Sequence, residues 1–110
     1  MDAHEKIYQV LSKLGYEVEF DTYTGKETTY ITYFEVLEKT DAGSDDNEEI
    51  IGYHFQVDIF SKDDPTDIKN KVVQELKENE FYSITCQDLY ERENKIFHKA
   101  IDCYYAEYKY

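Results

Sequence analysis

Apolar residues recur with two different periods along this chain, and the switches between them mark out the expected elements. Ile7, Val10, Leu11 and Leu14 stand at the i, i+3, i+4, i+7 spacing that gives a helix one apolar stripe. Asp2 followed by Glu5 resembles a capping box and Gly15 supplies a left-handed stop, so a helix is predicted over residues 2–14. The period then falls to two. Tyr16, Val18 and Phe20 alternate with Glu17 and Glu19 as in a short strand, and residues 21–26, with Gly25, read as a turn. Residues 28–38 are dense in β-branched and aromatic types and predict a strand with apolar groups on both faces, as if covered from both sides. Residues 50–60 alternate most cleanly: Ile51, Tyr53, Phe55, Val57 and Ile59 point one way, and Gly52, His54, Gln56 and Asp58 the other. Pairing these two strands about the polar loop of residues 40–49 places Phe34 near Phe55 in an antiparallel hairpin.

The helical period returns after Asp64 and Pro65. Asp64 is expected to cap a second helix, with Pro65 at its first position and Asp67 in its first turn, where negative charge suits the helix dipole. Ile68, Val72 and Leu76, helped by Val73, form its buried stripe, and Asn79 ends it. Residues 81–90 and 95–108 predict two closing strands that turn about residues 92–94. The expected fold is α+β: a mainly antiparallel sheet of about four to five strands with two helices on one face. The order is helix, three strands, helix, two strands, in one domain over residues 1–110.

Composition narrows the function classes. An aromatic fraction of 16%, including 12 tyrosines, supports a folded core in spite of 34% charged residues. The net charge of −13 argues against binding to nucleic-acid backbones or anionic membranes, both of which need clustered Lys and Arg. No apolar run approaches the ~20 residues of a membrane span, and the first residues lack a signal peptide's basic head and apolar stretch. The expectation is a cytoplasmic protein with free thiols. The predicted closing hairpin sets Cys103 opposite Tyr82, about four positions along from Cys86 and beyond disulfide reach.

Reactive chemistry is sparse. His4, His54 and His98 are scattered, neither cysteine has a ligand at metal-site spacing, and the acidic loop lacks the alternating ligands of a calcium-binding EF-hand. There is no nucleophile elbow and no glycine cluster to cradle phosphate. The expectation is no catalytic residue, no metal, no cofactor and no enzymatic activity. The tyrosines suggest contact instead. Tyr104, Tyr105 and Tyr108 occupy both faces of the last strand, and tyrosine gives large amphipathic contact area at modest entropic cost. With Tyr30, Tyr33 and Phe34 they form the candidate surface for association with copies or partners.

Several segments resemble a known family. Lys6-Ile7-Tyr8-Gln9-Val10-Leu11 leads into Gly15-Tyr16, then comes Tyr30-Ile31-Thr32-Tyr33-Phe34. Tyr53-His54-Phe55-Gln56-Val57-Asp58-Ile59-Phe60-Ser61-Lys62 precedes a helix, and Gln87-Asp88-Leu89-Tyr90-Glu91 and Ile96-Phe97-His98-Lys99 lead to an aromatic last strand. Across nearly the whole chain this is similar to the tail-completion, or head–tail joining, proteins of long non-contractile-tailed phages and of prophages in Gram-positive bacteria. The resemblance implies an α+β fold and a ring, commonly a hexamer, that stops tail-tube growth and joins the DNA-filled head. Its partners would be copies of itself, tail-tube proteins and head-connector proteins, with DNA passing unbound. It implies assembly in the bacterial host cytoplasm and a final place at the tail–head junction of the virion. An isolated subunit is compatible with being monomeric, because such rings often need the tube end as a template. The family has no catalytic residue to carry over.

Within that reading, Asp41, Asp45, Asp46, Glu48 and Glu49 are candidates for a channel-facing or mobile acidic loop, since fixed negative charge repels the duplex. A competing expectation is an acidic DNA mimic that occupies a host enzyme's basic groove. Against it, acids are interleaved with lysine, as in Glu75-Leu76-Lys77-Glu78. A small ligand-binding or catalytic domain is a third reading and would show a deep apolar pocket with convergent polar groups.

Overall fold

The computed structural model describes residues 2–42 and 49–109. The elements are α1 (Ala3–Ser12), β1 (Glu17–Phe20), β2 (Tyr30–Ala42), β3 (Glu49–Ser61), α2 (Thr66–Glu78), β4 (Tyr82–Asp88) and β5 (Phe97–Lys109). The five strands form one sheet in the order β1-β2-β3-β5-β4. The fold is α+β, with a mostly antiparallel sheet, and differs from the sequence expectation in detail.

Local chemistry explains both helices. The Asp2 carboxylate accepts a hydrogen bond from the Glu5 amide at 2.8 Å, and Ile7, Val10 and Leu11 are fully packed. α1 stops two residues short of the predicted end. The Leu14 amide turns back to the Leu11 carbonyl, and Gly15 takes the left-handed φ of +85° that releases the chain into β1. At α2 the Asp64 carboxylate accepts from the Thr66 amide at 3.0 Å and from its hydroxyl at 2.6 Å. These bonds, with the first-turn hydroxyl and amide aimed at it, hold the Asp64 carboxyl below its usual range. Pro65 sits just ahead of the helix rather than at its first position.

Ile68, Val72 and Leu76 of α2 join α1 and one face of the sheet in a single apolar cluster around Phe55, Val57, Ile59 and Ile101. Both helices lie on this face. The predicted two-sided cover of β2 is therefore corrected: Ile31 and Tyr33 face the core, while Tyr30 and Phe34 lie on the face without helices.

Two pairings also differ from expectation, and the short first strand, to which the sequence assigned no partner, adds a parallel one. β1 lies parallel to β2, because residues 21–29 return the chain to the start of the sheet before β2 begins. Asp21, at φ +65°, makes that turn and donates its amide to the Tyr33 carbonyl at 2.8 Å. Phe34 pairs with Gln56, and it is Glu35 that stands opposite Phe55. A bulge between Glu35 and Leu37 then moves the register by a further residue. In the closing hairpin Tyr82 meets Tyr104, not Cys103, and an irregularity before Thr85 carries Cys86 to Ile101. Ser83, at φ +50°, sits within that irregularity. Both cysteines are free, Cys103 in the core and Cys86 exposed.

β2, β3 and β5 are each 13 residues long and outrun the helices. Their far halves form a three-stranded arm, which lengthens the molecule to 52 × 24 × 22 Å. The radius of gyration, 15.2 Å, exceeds the roughly 13 Å of a compact chain this long.

Candidate interaction surface

Strand alternation decides what the helix-free face displays. On β3 the even-numbered residues Ile50, Gly52, His54, Gln56, Asp58 and Phe60 point to it, and their partners on β2 and β5 follow. The middle row, Thr32, Asp58 and Ala100, is nearly inaccessible although no helix covers it. Larger side chains on either side of this row close over it.

On one side runs an aromatic row. Tyr23 stacks on Tyr30 at 4.2 Å between ring centres, Tyr30 on Phe60 at 4.9 Å, and Phe60 on His98 at 4.2 Å. On the other side, nearer the arm, His54 stacks on Tyr104 at 4.4 Å, with Tyr82 beside Tyr104 at 6.0 Å. Each of these imidazoles also donates to a carboxylate. His98 Nε2 lies 2.7 Å from Asp58 Oδ1, and His54 Nε2 lies 2.7 Å from Asp102 Oδ1. Gln56 Nε2 adds a donor to Asp58 at 2.9 Å. The buried Asp58 carboxylate is therefore satisfied, as a charge removed from water must be. His4, the third histidine, pairs with Glu35 at 2.8 Å across α1 and β2.

The predicted contact residues divide by face. Tyr30, Phe34, Tyr104 and Tyr108 lie on the helix-free face, and Tyr108, at 63% exposure on the arm, is the most open of them. Tyr33 and Tyr105 lie on the helix face. Tyr33 is in the core cluster against Phe20, and Tyr105 packs on Phe81 at 4.8 Å. Burial, more than neighbouring charge, pushes the phenols of Tyr30, Tyr33 and Tyr105 above their ordinary range. Tyr53 is pushed up as well, by burial first and then by its hydrogen bond to Glu107 at 2.9 Å.

Of the acidic candidates, Asp41 is exposed on the arm 3.8 Å from Lys39, and Glu49 is exposed at the start of β3. Asp45, Asp46 and Glu48 lie outside the described residues. The sequence reading passed over Leu37, which is 61% exposed, as well as Tyr82 and the two imidazole–carboxylate pairs. Leu37, Tyr82, Tyr104 and His54 border a shallow groove of about 290 Å³ floored by Gly52 and Ala106. The floor residues are small, so the groove marks where the sheet face lacks bulk. A second depression, about 410 Å³, lies at the start of α2 between Asp64 and the Asp88–Lys99 ion pair. Among the described residues, no three His, Cys, Asp or Glu side chains converge as metal ligands. No helix among them is long and apolar enough to cross a membrane.

No protein-family model matches the chain, and no curated protein does. Among solved structures, a chain from the virion of a native gene transfer agent particle is similar, with a TM-score of 0.60. The match covers 98% of this chain and 95% of that one at 9% sequence identity. At that identity the likeness is one of fold: the whole two-helix, five-stranded arrangement has a counterpart in a virion chain of nearly the same extent.

Proposed function

We propose that this chain is a non-enzymatic structural protein of a phage virion, one that caps the tail tube and joins it to the head as a ring around the DNA channel. The observation that carries the virion role is the end-to-end fold likeness to a chain of a virion particle. The narrower role, tail completion, draws on the sequence resemblance spanning Lys6 to the last strand. Two physical features fit. The aromatic face and projecting arm offer contact surface to copies and to tail-tube or head-connector proteins, and the net charge of −13 lets DNA pass without adhering. Exposed acids at the arm, Asp41 and Glu49, stand beside the acidic run and are the described candidates for facing that channel.

The test is binding to tail tubes. Purified subunit should cosediment with tubes assembled from the neighbouring tail-tube protein and appear in negative stain as a ring at one end. Deleting the gene should leave heads and tails that fail to join. Normal virions from the deletion, or subunit that ignores tube ends, would sink the proposal. Recovery of a host nuclease or polymerase as the sole partner would favour the DNA-mimic reading instead.

A further inference from the structure

Both outer edges of the sheet are partly uncovered, and the uncovered stretches are offset. β1 pairs only with residues 30–33 of β2, so from Phe34 to Asp41 the outer edge of β2 has no strand beside it among the described residues. On the far side β4 runs beside β5 from Lys99 to Tyr104, and beyond Tyr104 β5 is itself outermost. β3 pairs on both sides and serves as a ruler. The uncovered part of β2 is level with residues 50–56 of β3, whereas β4 projects level with residues 54–59. One side of the sheet thus has a notch one strand deep, and the other has a tab one strand wide.

Direction, facing and charge all fit tab to notch. β4 runs antiparallel to β5, β5 to β3 and β3 to β2, so β4 of a copy related by rotation about an axis roughly along the strands meets β2 antiparallel. Sliding that copy four residues toward the arm brings β4 level with residues 50–55 of β3, inside the notch. At this shift Cys86 falls opposite Glu38, both on the helix side of the sheet, and Thr85 falls opposite Lys39, both on the open side. A shift of three would mismatch every face. The notch carries Glu35, Glu38, Lys39 and Asp41, and like charges directly opposite one another destabilise a strand pair. Residues 82–87 of β4 are Tyr, Ser, Ile, Thr, Cys and Gln, with no charge to repel, whereas β1 would bring Glu17 and Glu19. Asp88 would come level with Glu35, but each already has a partner, Lys99 and His4 respectively. β4 also lacks the lysine or proline that commonly blocks an exposed edge.

We infer that β4 of one copy seats in the β2 notch of the next, head to tail, so that the sheet continues from subunit to subunit. This deepens the ring reading and rests on it. The repeat is four strand spacings wide, roughly 19 Å, and the four-residue slide is roughly 13 Å. Closure without a rise then requires strands tilted about 35° to the ring axis, at the low end of the usual range for closed sheets.

Disulfide trapping tests the register. In full-length protein at about 1 mM, Glu38→Cys should cross-link to the native Cys86 of another molecule, giving a ladder of species on a non-reducing gel. Leu37→Cys, one residue away on the opposite face, should yield at least tenfold less, and Cys86→Ser should abolish the ladder. Circular dichroism on each variant confirms folding. Cross-links equal for the two positions, Cys86–Cys86 dimers alone, or no cross-link at all would overturn the inference. Tube-end rings without the Glu38→Cys cross-link would leave the ring reading standing and remove this contact. The cross-link without tube binding would do the reverse.

Discussion

Among the described residues, His98 and Asp58 form the most deeply placed ion pair, with side chains 14% and 8% exposed and a 2.7 Å contact. A carboxylate held out of water depends on its donors, so removing one partner costs far more than the pair is worth as a unit. His98→Ala should lower unfolding free energy by about 3 kcal/mol, because Asp58 would keep only Gln56 and Phe60 would lose one of its two stacking partners. Asp58→Asn should cost less than half of that, since an amide oxygen still accepts from the imidazole. Urea unfolding checks the order of the two; equal losses would mean the pair is not what holds this row. The buried thiol of Cys103 acts in a different pH range. Burial, and then the charge of Asp102, push it up to about 12 from an ordinary 9.0. The folded state therefore keeps a proton that the unfolded chain has shed, so this contribution is intact below about pH 9 and is lost as pH rises toward 12. The slope approaches about 1.4 kcal/mol per pH unit. Cys103→Ala should flatten the stability profile between about pH 9 and pH 11. An unchanged slope would assign the alkaline loss to the buried tyrosines alone, whose raised phenols act in the same direction.

At the scale of elements, the arm and the body should respond differently to mutation. Phe55 is fully buried where α1 and α2 meet the sheet, and Phe55→Ala should cost about 3–5 kcal/mol. Leu37, at 61% exposure on the arm, has little to lose, and Leu37→Ser should shift stability by less than about 0.5 kcal/mol. If Leu37 serves contact, that same change should still weaken self-association, a separation readable by urea unfolding alongside sedimentation. The contrast between these two residues also shows how far periodicity reaches. The alternation over residues 51–59 identifies the core face of β3 because the apolar Tyr53, Phe55 and Val57 are separated and followed by the polar His54, Gln56 and Asp58. β2 has no such contrast. Val36 and Leu37 are adjacent and both apolar, so a bulge between Glu35 and Leu37 leaves the hydrophobic count unchanged and invisible. The imidazole–carboxylate pairs were hidden for the same reason, since one residue of slip turns His54 or Asp102 to the other face. Tyr104 and Tyr105 carry the opposite lesson. Neighbours on a strand must point apart, so one joined the open face and the other the core, and composition alone does not say which.

For the molecule as a whole, the net charge of −13 sets a cost on every association between copies. The contact inferred between β4 and β2 joins an edge without a positive charge, and without any charge over residues 82–87, to an acid-bearing one, so it forms no intermolecular ion pair strong enough to offset long-range repulsion. Salt should therefore favour assembly. Raising ionic strength from about 0.05 M to about 0.5 M shortens the screening length from roughly 14 Å to roughly 4 Å, less than the width of one strand. The dissociation constant between subunits should tighten at least about tenfold over that range, measured by sedimentation equilibrium. Affinity for duplex DNA should be undetectable at either salt, because no cluster of Lys and Arg exists to release counterions. The sign of the salt effect is the discriminating observation. Weakening of self-association with salt would mean that opposite charges meet at the interface, so that Lys39 or Lys109 lies against a neighbour's carboxylates and the uncharged strand is not what joins the copies.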